Sequence, residues 1–406
     1  MFSFGILSAI ALGCTKLNYG PEHFTSHKTT TNSTIVNEKV LEKVGLEYYW
    51  EPINLKLSDG ERIVKMYCLG ENLYFLSNQN YLHCVNAAKG MQTWAYKVTK
   101  KTETIYAPIH VENMRMPEEI IVEGADKYEF KNCKPFDAVV INTETKVVVL
   151  DRNTGKAIRD FRLTDQASCQ GACDGPRFYY GNFHNYFNCS LLASTKPIWD
   201  KRVGDKPIRT PLRKLFNLIY AGTVDGKMLA FGSDDAEDLR WENQLEGQVL
   251  QPFTADLRGI FVGCDNGHLY GLNRSSGENI WDPVDLESNP NMPTQLSANS
   301  VFQHTPKGLF AINLLDGKIR WQNKNANRVI TVIKNQLYLL DKNNTLLVVD
   351  EITGQEKSTL PMTGADFIST SIRHDAIFYA TKTGHVFCVR AKGAPLVTKD
   401  SYRMLK

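Results

Sequence analysis

The chain has 406 residues, 42% of them hydrophobic and 10% aromatic, with a formal net charge of +3. That apolar content excludes a disordered chain, and a near-neutral balance without a basic cluster gives no footprint for nucleic acid. Length alone would predict two or three domains, but a repeat running through most of the chain overrides that expectation.

Residues 1–13 form a short apolar run that ends at Cys14. The run is too short to cross a membrane as a helix and matches the hydrophobic part of an export signal. Small residues leading into a cysteine resemble the lipobox of bacterial lipoproteins, which makes Cys14 the expected lipidation site. Ala11 stands where that motif usually has leucine, and no Lys or Arg precedes the run. Residues 15–45 are polar, with Thr29 to Thr34 at their centre, and read as a linker. The propeller described next is expected over residues 46–392, followed by a tail at 393–406.

A short phrase then recurs about every 40 residues: strand, tight turn, strand, second turn, and an aromatic that starts a further strand. It is clearest from Gly259 through Asp265-Asn266-Gly267 to Trp281. In chain order the copies lead to Trp94, to Arg159 in the tryptophan position, to Trp199, Trp241, Trp281 and Trp321, and to Ser358. An eighth copy, around Ala376 to Val389, has no following tryptophan. Apolar alternation such as Ile260 and Val262 suits strands packed between neighbouring sheets. Asp-Asn-Gly and Asp-Gly supply the positive φ of tight hairpins.

Eight such units of four strands predict an all-β fold, an eight-bladed β-propeller. Trp50, with no copy of the phrase before it, predicts an N-terminal strand that completes the last blade and closes the ring. Trp50, Trp94, Trp199, Trp241, Trp281 and Trp321 are the expected structural residues of the blade seams. An insertion is expected at about residues 100–136, and it and the loops from Asp165 to Pro176 are the expected contact surface.

Of nine cysteines, Cys84, Cys189, Cys264 and Cys388 fall on strands and read as small core residues. Cys169 and Cys173 lie in a polar connection, where a local disulfide is possible in an oxidising compartment, with Cys133 as another candidate partner. Cys and His spacing gives no zinc site. His268 and His385 occupy matching repeat positions, which argues for blade geometry over a metal. There is no nucleophile elbow, zincin motif or phosphate loop.

The phrase Tyr220-Ala-Gly-Thr-Val-Asp-Gly-Lys-Met-Leu-Ala-Phe231, with Gly-x-x-x-Trp at Gly277 to Trp281 and Gly317 to Trp321, resembles the PQQ-like β-propeller repeat family. Two kinds of protein share that repeat. Quinoprotein alcohol dehydrogenases bind pyrroloquinoline quinone and calcium, and are marked by adjacent cysteines that this chain lacks. BamB-type lipoproteins of outer-membrane protein assembly are non-catalytic, and resemble this chain in blade number and leader. The resemblance implies no cofactor and no catalytic residue. It also implies a monomeric scaffold for envelope protein partners, exported and anchored on the periplasmic face of a bacterial membrane. The alternatives are a small-ligand or quinone-binding protein and an envelope sensor.

Overall fold

The computed structural model describes residues 22–23, 36–116, 120–122, 128–130, 134–192, 197–233, 238–333, 336–362, 364–369 and 376–394. Cys14 and Cys133 lie outside them. Among the described residues the strands form eight blades, each an antiparallel sheet of four principal strands, and one separate two-stranded hairpin. Blades 1 to 7 cover residues 63–97, 109–162, 172–202, 213–244, 254–285, 295–323 and 326–361 in turn. Blade 8 combines residues 367–391 with the N-terminal strand Leu46–Tyr48.

The first strands of successive blades approach one another: Ile109–Met114 meets Ala172–Asp174, which meets Arg213–Leu215, which meets Thr254–Asp256. First strands therefore ring the centre and fourth strands form the rim. This explains the hydrophobic patterns. A middle strand such as Asn72–Ser77 is buried at every position, because both faces pack against neighbouring blades. The rim strand Leu239–Gln244 is fully buried only at Trp241.

The ring closes through the N-terminal segment. Leu46 pairs with Ala391 and Tyr48 with Val389, and Ile53 then pairs with Val386 on the same strand. The segment is tied onward to blade 1 by a buried polar network. His83 Nε2 lies 2.8 Å from Glu61 Oε1, Gln92 Nε2 lies 3.0 Å from His83 Nδ1, and the Ser58 amide donates to Glu61 Oε2 at 2.8 Å.

Two sequence expectations change here. The insertion is shorter than residues 100–136, because Ile109–Met114 is the blade's own first strand, with His110 opposite Val139. Glu112 and Asn113 had hidden that strand behind polar composition. What remains outside the sheet carries a hairpin, Ile120–Val122 with Tyr128–Phe130. The polar linker also folds before its expected end at residue 45. Asn37 caps helix Glu38–Lys43 by accepting the Lys39 amide at 2.9 Å, and Leu41 is completely buried. Further upstream, Glu22–His23 adds a short strand to the edge of blade 1, opposite Ala95 and Trp94.

Burial alone would raise the Glu61 pKa, but hydrogen bonds from His83, Ser77 and Ser58 outweigh it and bring the value to about 2. A folded-state pKa below the ordinary 4.5 means this stabilisation is complete above about pH 4.5 and is lost as pH falls toward 2. Glu61→Gln is expected to cost about 1–3 kcal/mol at neutral pH. Urea unfolding of the two proteins at stepped pH should show that difference shrink below pH 4.5.

Candidate functional site

Five of the six expected seam tryptophans share one contact. The third strand of blades 1, 2, 6 and 7 ends in Asp or Asn, and that of blade 5 is followed directly by Asn273; four residues after this Asp or Asn stands a glycine in the left-handed region. At Asp151 the side-chain Oδ1 accepts the amides of Asn153 and Thr154 at 3.1 and 2.8 Å, and Gly155 has φ +69°. The preceding blade's indole lies flat on that glycine. A Cβ there would meet the ring at 2.6 Å for Gly155 on Trp94, and at 2.6 Å for Gly354 on Trp321. Trp50, Trp241 and Trp281 lie in the same way on Gly90, Gly277 and Gly317.

In four of the five contacts the indole N–H also finds the same acceptor, the carbonyl of the residue after the turn's Asp or Asn. Trp50 donates to Ala87 O at 3.0 Å, Trp94 to Arg152 O at 2.9 Å, Trp241 to Arg274 O at 3.0 Å and Trp321 to Glu351 O at 2.9 Å. Trp281 Nε1 has no partner among the described residues. Burying the ring and pairing its only donor makes each contact a lock from one blade to the next.

Three seams lack the lock. Between blades 2 and 3, Arg159 replaces the tryptophan, and Met114 and Met116 at the base of the insertion pack into the cluster with Phe161 and Leu192. Between blades 7 and 8, Ser358 replaces it. There Val36 and Leu41 of the N-terminal helix region complete the cluster, with Leu360, Met362, Phe387 and Val389. Between blades 3 and 4, Trp199 is present but blade 4 has a longer turn without the receiving glycine. Tyr179 OH instead donates to Ser233 O at 2.9 Å, and Trp199 packs on Phe187 and Phe231.

The unlocked seam between blades 3 and 4 holds a groove of about 360 Å³. Val203, Leu229 and Phe231 form its buried floor, and Leu239 its partly exposed wall. Lys201, Arg202, Asp205, Lys227 and Glu242 form the rim, where Lys227 Nζ lies 2.7 Å from Glu242 Oε1. The sequence reading did not find this site. Its signal was the pairing of Trp199 with a turn, residues 233–238, that has no glycine to receive it.

Other expected site residues are placed differently. Cys169 and Cys173 are free and buried, which corrects the proposed disulfide. Cys169 belongs to the cluster facing blade 4 and Cys173 to the cluster facing blade 2, so the blade itself separates the thiols. Burial pushes the Cys169 and Cys84 thiols up to about 12, which leaves them almost entirely protonated at neutral pH. The connection from Asp165 to Pro176 is also less exposed than a contact loop requires. Ala167, Ser168 and Cys169 are buried, and Asn142 bonds to Cys169 O and Gly171 N at 3.1 Å each. No cluster of three or more His, Cys, Asp or Glu suited to a metal occurs among the described residues.

A family model described as outer membrane protein assembly factor BamB matches residues 196–395. The outer membrane protein assembly factor BamB of Nitrosomonas eutropha (strain DSM 101675 / C91 / Nm57) is 31% identical over 112 residues. That match covers 26% of this chain and 26% of the relative, about a quarter of its length. Among solved structures, BamB from Moraxella catarrhalis superposes with a TM-score of 0.62 at 15% identity, over 86% of this chain and 99% of that one. Saccharomyces cerevisiae Sqt1 reaches 0.59 at 11% identity, over 84% of this chain and 98% of that one. At such identities the superpositions establish the fold, an eight-bladed β-propeller. With the matched repeats, the chain is a BamB-like PQQ-repeat propeller.

Trp94→Ala is expected to cost about 3–5 kcal/mol in denaturant unfolding. Gly155→Ala should also destabilise, because alanine is strained at φ +69° and its Cβ collides with the indole. For these two cysteines, peptide mapping without reductant should recover no Cys169–Cys173 bridge. Iodoacetamide should leave Cys169 and Cys173 unmodified until the protein is unfolded.

Proposed function

We propose that this protein is a non-catalytic scaffold of the cell envelope that serves outer-membrane protein assembly by presenting its turns to protein partners, anchored through Cys14. The observation that carries the reading is the match of residues 196–395, blades 4 to 8 and the last strand of blade 3, to an outer-membrane assembly factor. The surface supports it. In a meander the first-to-second and third-to-fourth turns share one end of the sheet, so these turns from all blades lie on one face of the disc. On that face four consecutive blades expose apolar tips: Phe216 at 58%, Leu257 at 55%, Leu315 at 83% and Ile352 at 51%.

Local folding does not call for these side chains. The Leu315 amide donates to Asn313 Oδ1 at 3.2 Å and the Ile352 amide to Asp350 Oδ1 at 3.0 Å, bonds that any residue's backbone would make. The equivalent positions in blades 2 and 5 hold Asn153 and Ser275, which make the same bonds. Phe216 is an exposed aromatic at φ +52°, a conformation unfavourable for a bulky residue, with the Arg274 guanidinium 5.6 Å from its ring centroid. Apolar tips repeated along one arc fit a protein-binding face.

The test replaces the chromosomal copy with Phe216→Glu/Leu315→Glu/Ile352→Glu and, separately, with Cys14→Ser. Exposed tips cost little stability, within about 0.5 kcal/mol each. Both strains are expected to lose outer-membrane β-barrel proteins several-fold by quantitative mass spectrometry of the envelope. Unchanged levels in a strain lacking the chain altogether would remove the assembly reading.

A further inference from the structure

We infer that the strand Glu22–His23 is a clamp that shortens the membrane tether and holds the disc with the rim of blade 1 toward the lipid surface. The inference deepens the scaffold reading and rests on its anchor at Cys14.

The clamp follows from how the blades protect their outer edges. A rim strand offers a row of unpaired backbone groups, which charged side chains, proline or a short strand keep from pairing with another chain. The rim strands of blades 2, 3, 4, 6 and 7 carry charged residues along their length, among them Arg159, Asp200, Arg240, Arg320 and Lys357, and that of blade 5 is only Val284–Asp285. Blade 1 differs. Its rim strand Met91–Lys97 is 7 residues long and uncharged until Lys97. It is also buried at Gln92, Trp94, Ala95 and Tyr96, whereas each of those others buries one residue at most. This is the edge on which the chain lays a further strand, with Glu22 opposite Ala95 and His23 opposite Trp94.

Chain length turns that pairing into a position. An anchor at Cys14 reaches Glu22 through residues 15–21, which span at most about 25 Å. Without the clamp the first fixed point is Val36, buried in the cluster between blades 7 and 8, and residues 15–35 span at most about 75 Å. The clamp thus shortens the reach about threefold and chooses which rim faces the bilayer. That choice suits the surface. Phe216, Leu257, Leu315 and Ile352 expose apolar side chains on blades 4 to 7, across the ring from blade 1. Apolar tips close to a bilayer would bury themselves in it. Held on the far side, they are left for a protein partner.

Two measurements test the clamp. In the full-length Cys14→Ser protein, Glu22→Cys/Ala95→Cys should form a bridge with glutathione disulfide as oxidant. Glu22→Cys/Gln322→Cys, which sets the same residue against the rim of blade 6, should not. The lipidated protein is then placed on a supported bilayer of phosphatidylethanolamine and phosphatidylglycerol, and its height is read by neutron reflectometry. A Gly-Ser insertion of about 30 residues after Leu17 lengthens the tether and should move the protein layer outward by roughly 20 Å. The same insertion after Thr30 lies beyond the clamp and should leave the layer in place.

No bridge at Ala95, or any pattern other than displacement by the first insertion alone, would overturn the inference. A wild type that forms no layer overturns the anchor, and the tether with it, even where the bridge to Ala95 forms.

Discussion

The structure depends on one contact, an indole laid on a glycine of the next blade. The geometry is demanding on both sides. The glycine must be left-handed, which the Asp or Asn turn before it arranges. It must also lack a Cβ, because the ring occupies that space. In four of the five locks the indole N–H also meets a carbonyl the turn leaves free, as Trp94 does at Arg152. Each lock joins consecutive blades, so a series of them converts eight marginal four-stranded sheets into a single core.

A ring built this way can dispense with a lock only where something else seals the seam. Methionines at the base of the insertion do so between blades 2 and 3, and the N-terminal helix region does so between blades 7 and 8. The same N-terminal segment completes blade 8 and reaches the His83–Glu61 network of blade 1. Residues outside the repeat therefore carry much of the closure. The seam between blades 3 and 4 is the exception, held by Tyr179 and Ser233 and left with a groove at its rim. At the apolar tips Leu315 and Ile352 the turns draw only on the backbone and leave the side chain free for a partner.

Much of this was legible before any coordinates. The spacing of Trp241, Trp281 and Trp321 implied the repeat, and the unpaired Trp50 implied closure by an N-terminal strand. The polar residues of Ile109–Met114 concealed a true inner strand, because an inner strand borders the central space and is not buried on every side. The spacing of Cys169 and Cys173 looked like a local bridge. Four residues of chain that cross from one face of a blade to the other place the thiols in different clusters.

The amino-acid sequence by itself determined the blades, their number and most of their seams, because hairpin turns and strand alternation are local and repeat with the chain. Only the tertiary structure decided which seams are locked, what fills the others and where a groove remains. Those outcomes depend on pairs far apart in sequence, such as Trp94 with Gly155 or Leu41 with Leu360. One-dimensional spacing reports that both partners exist and not that they meet.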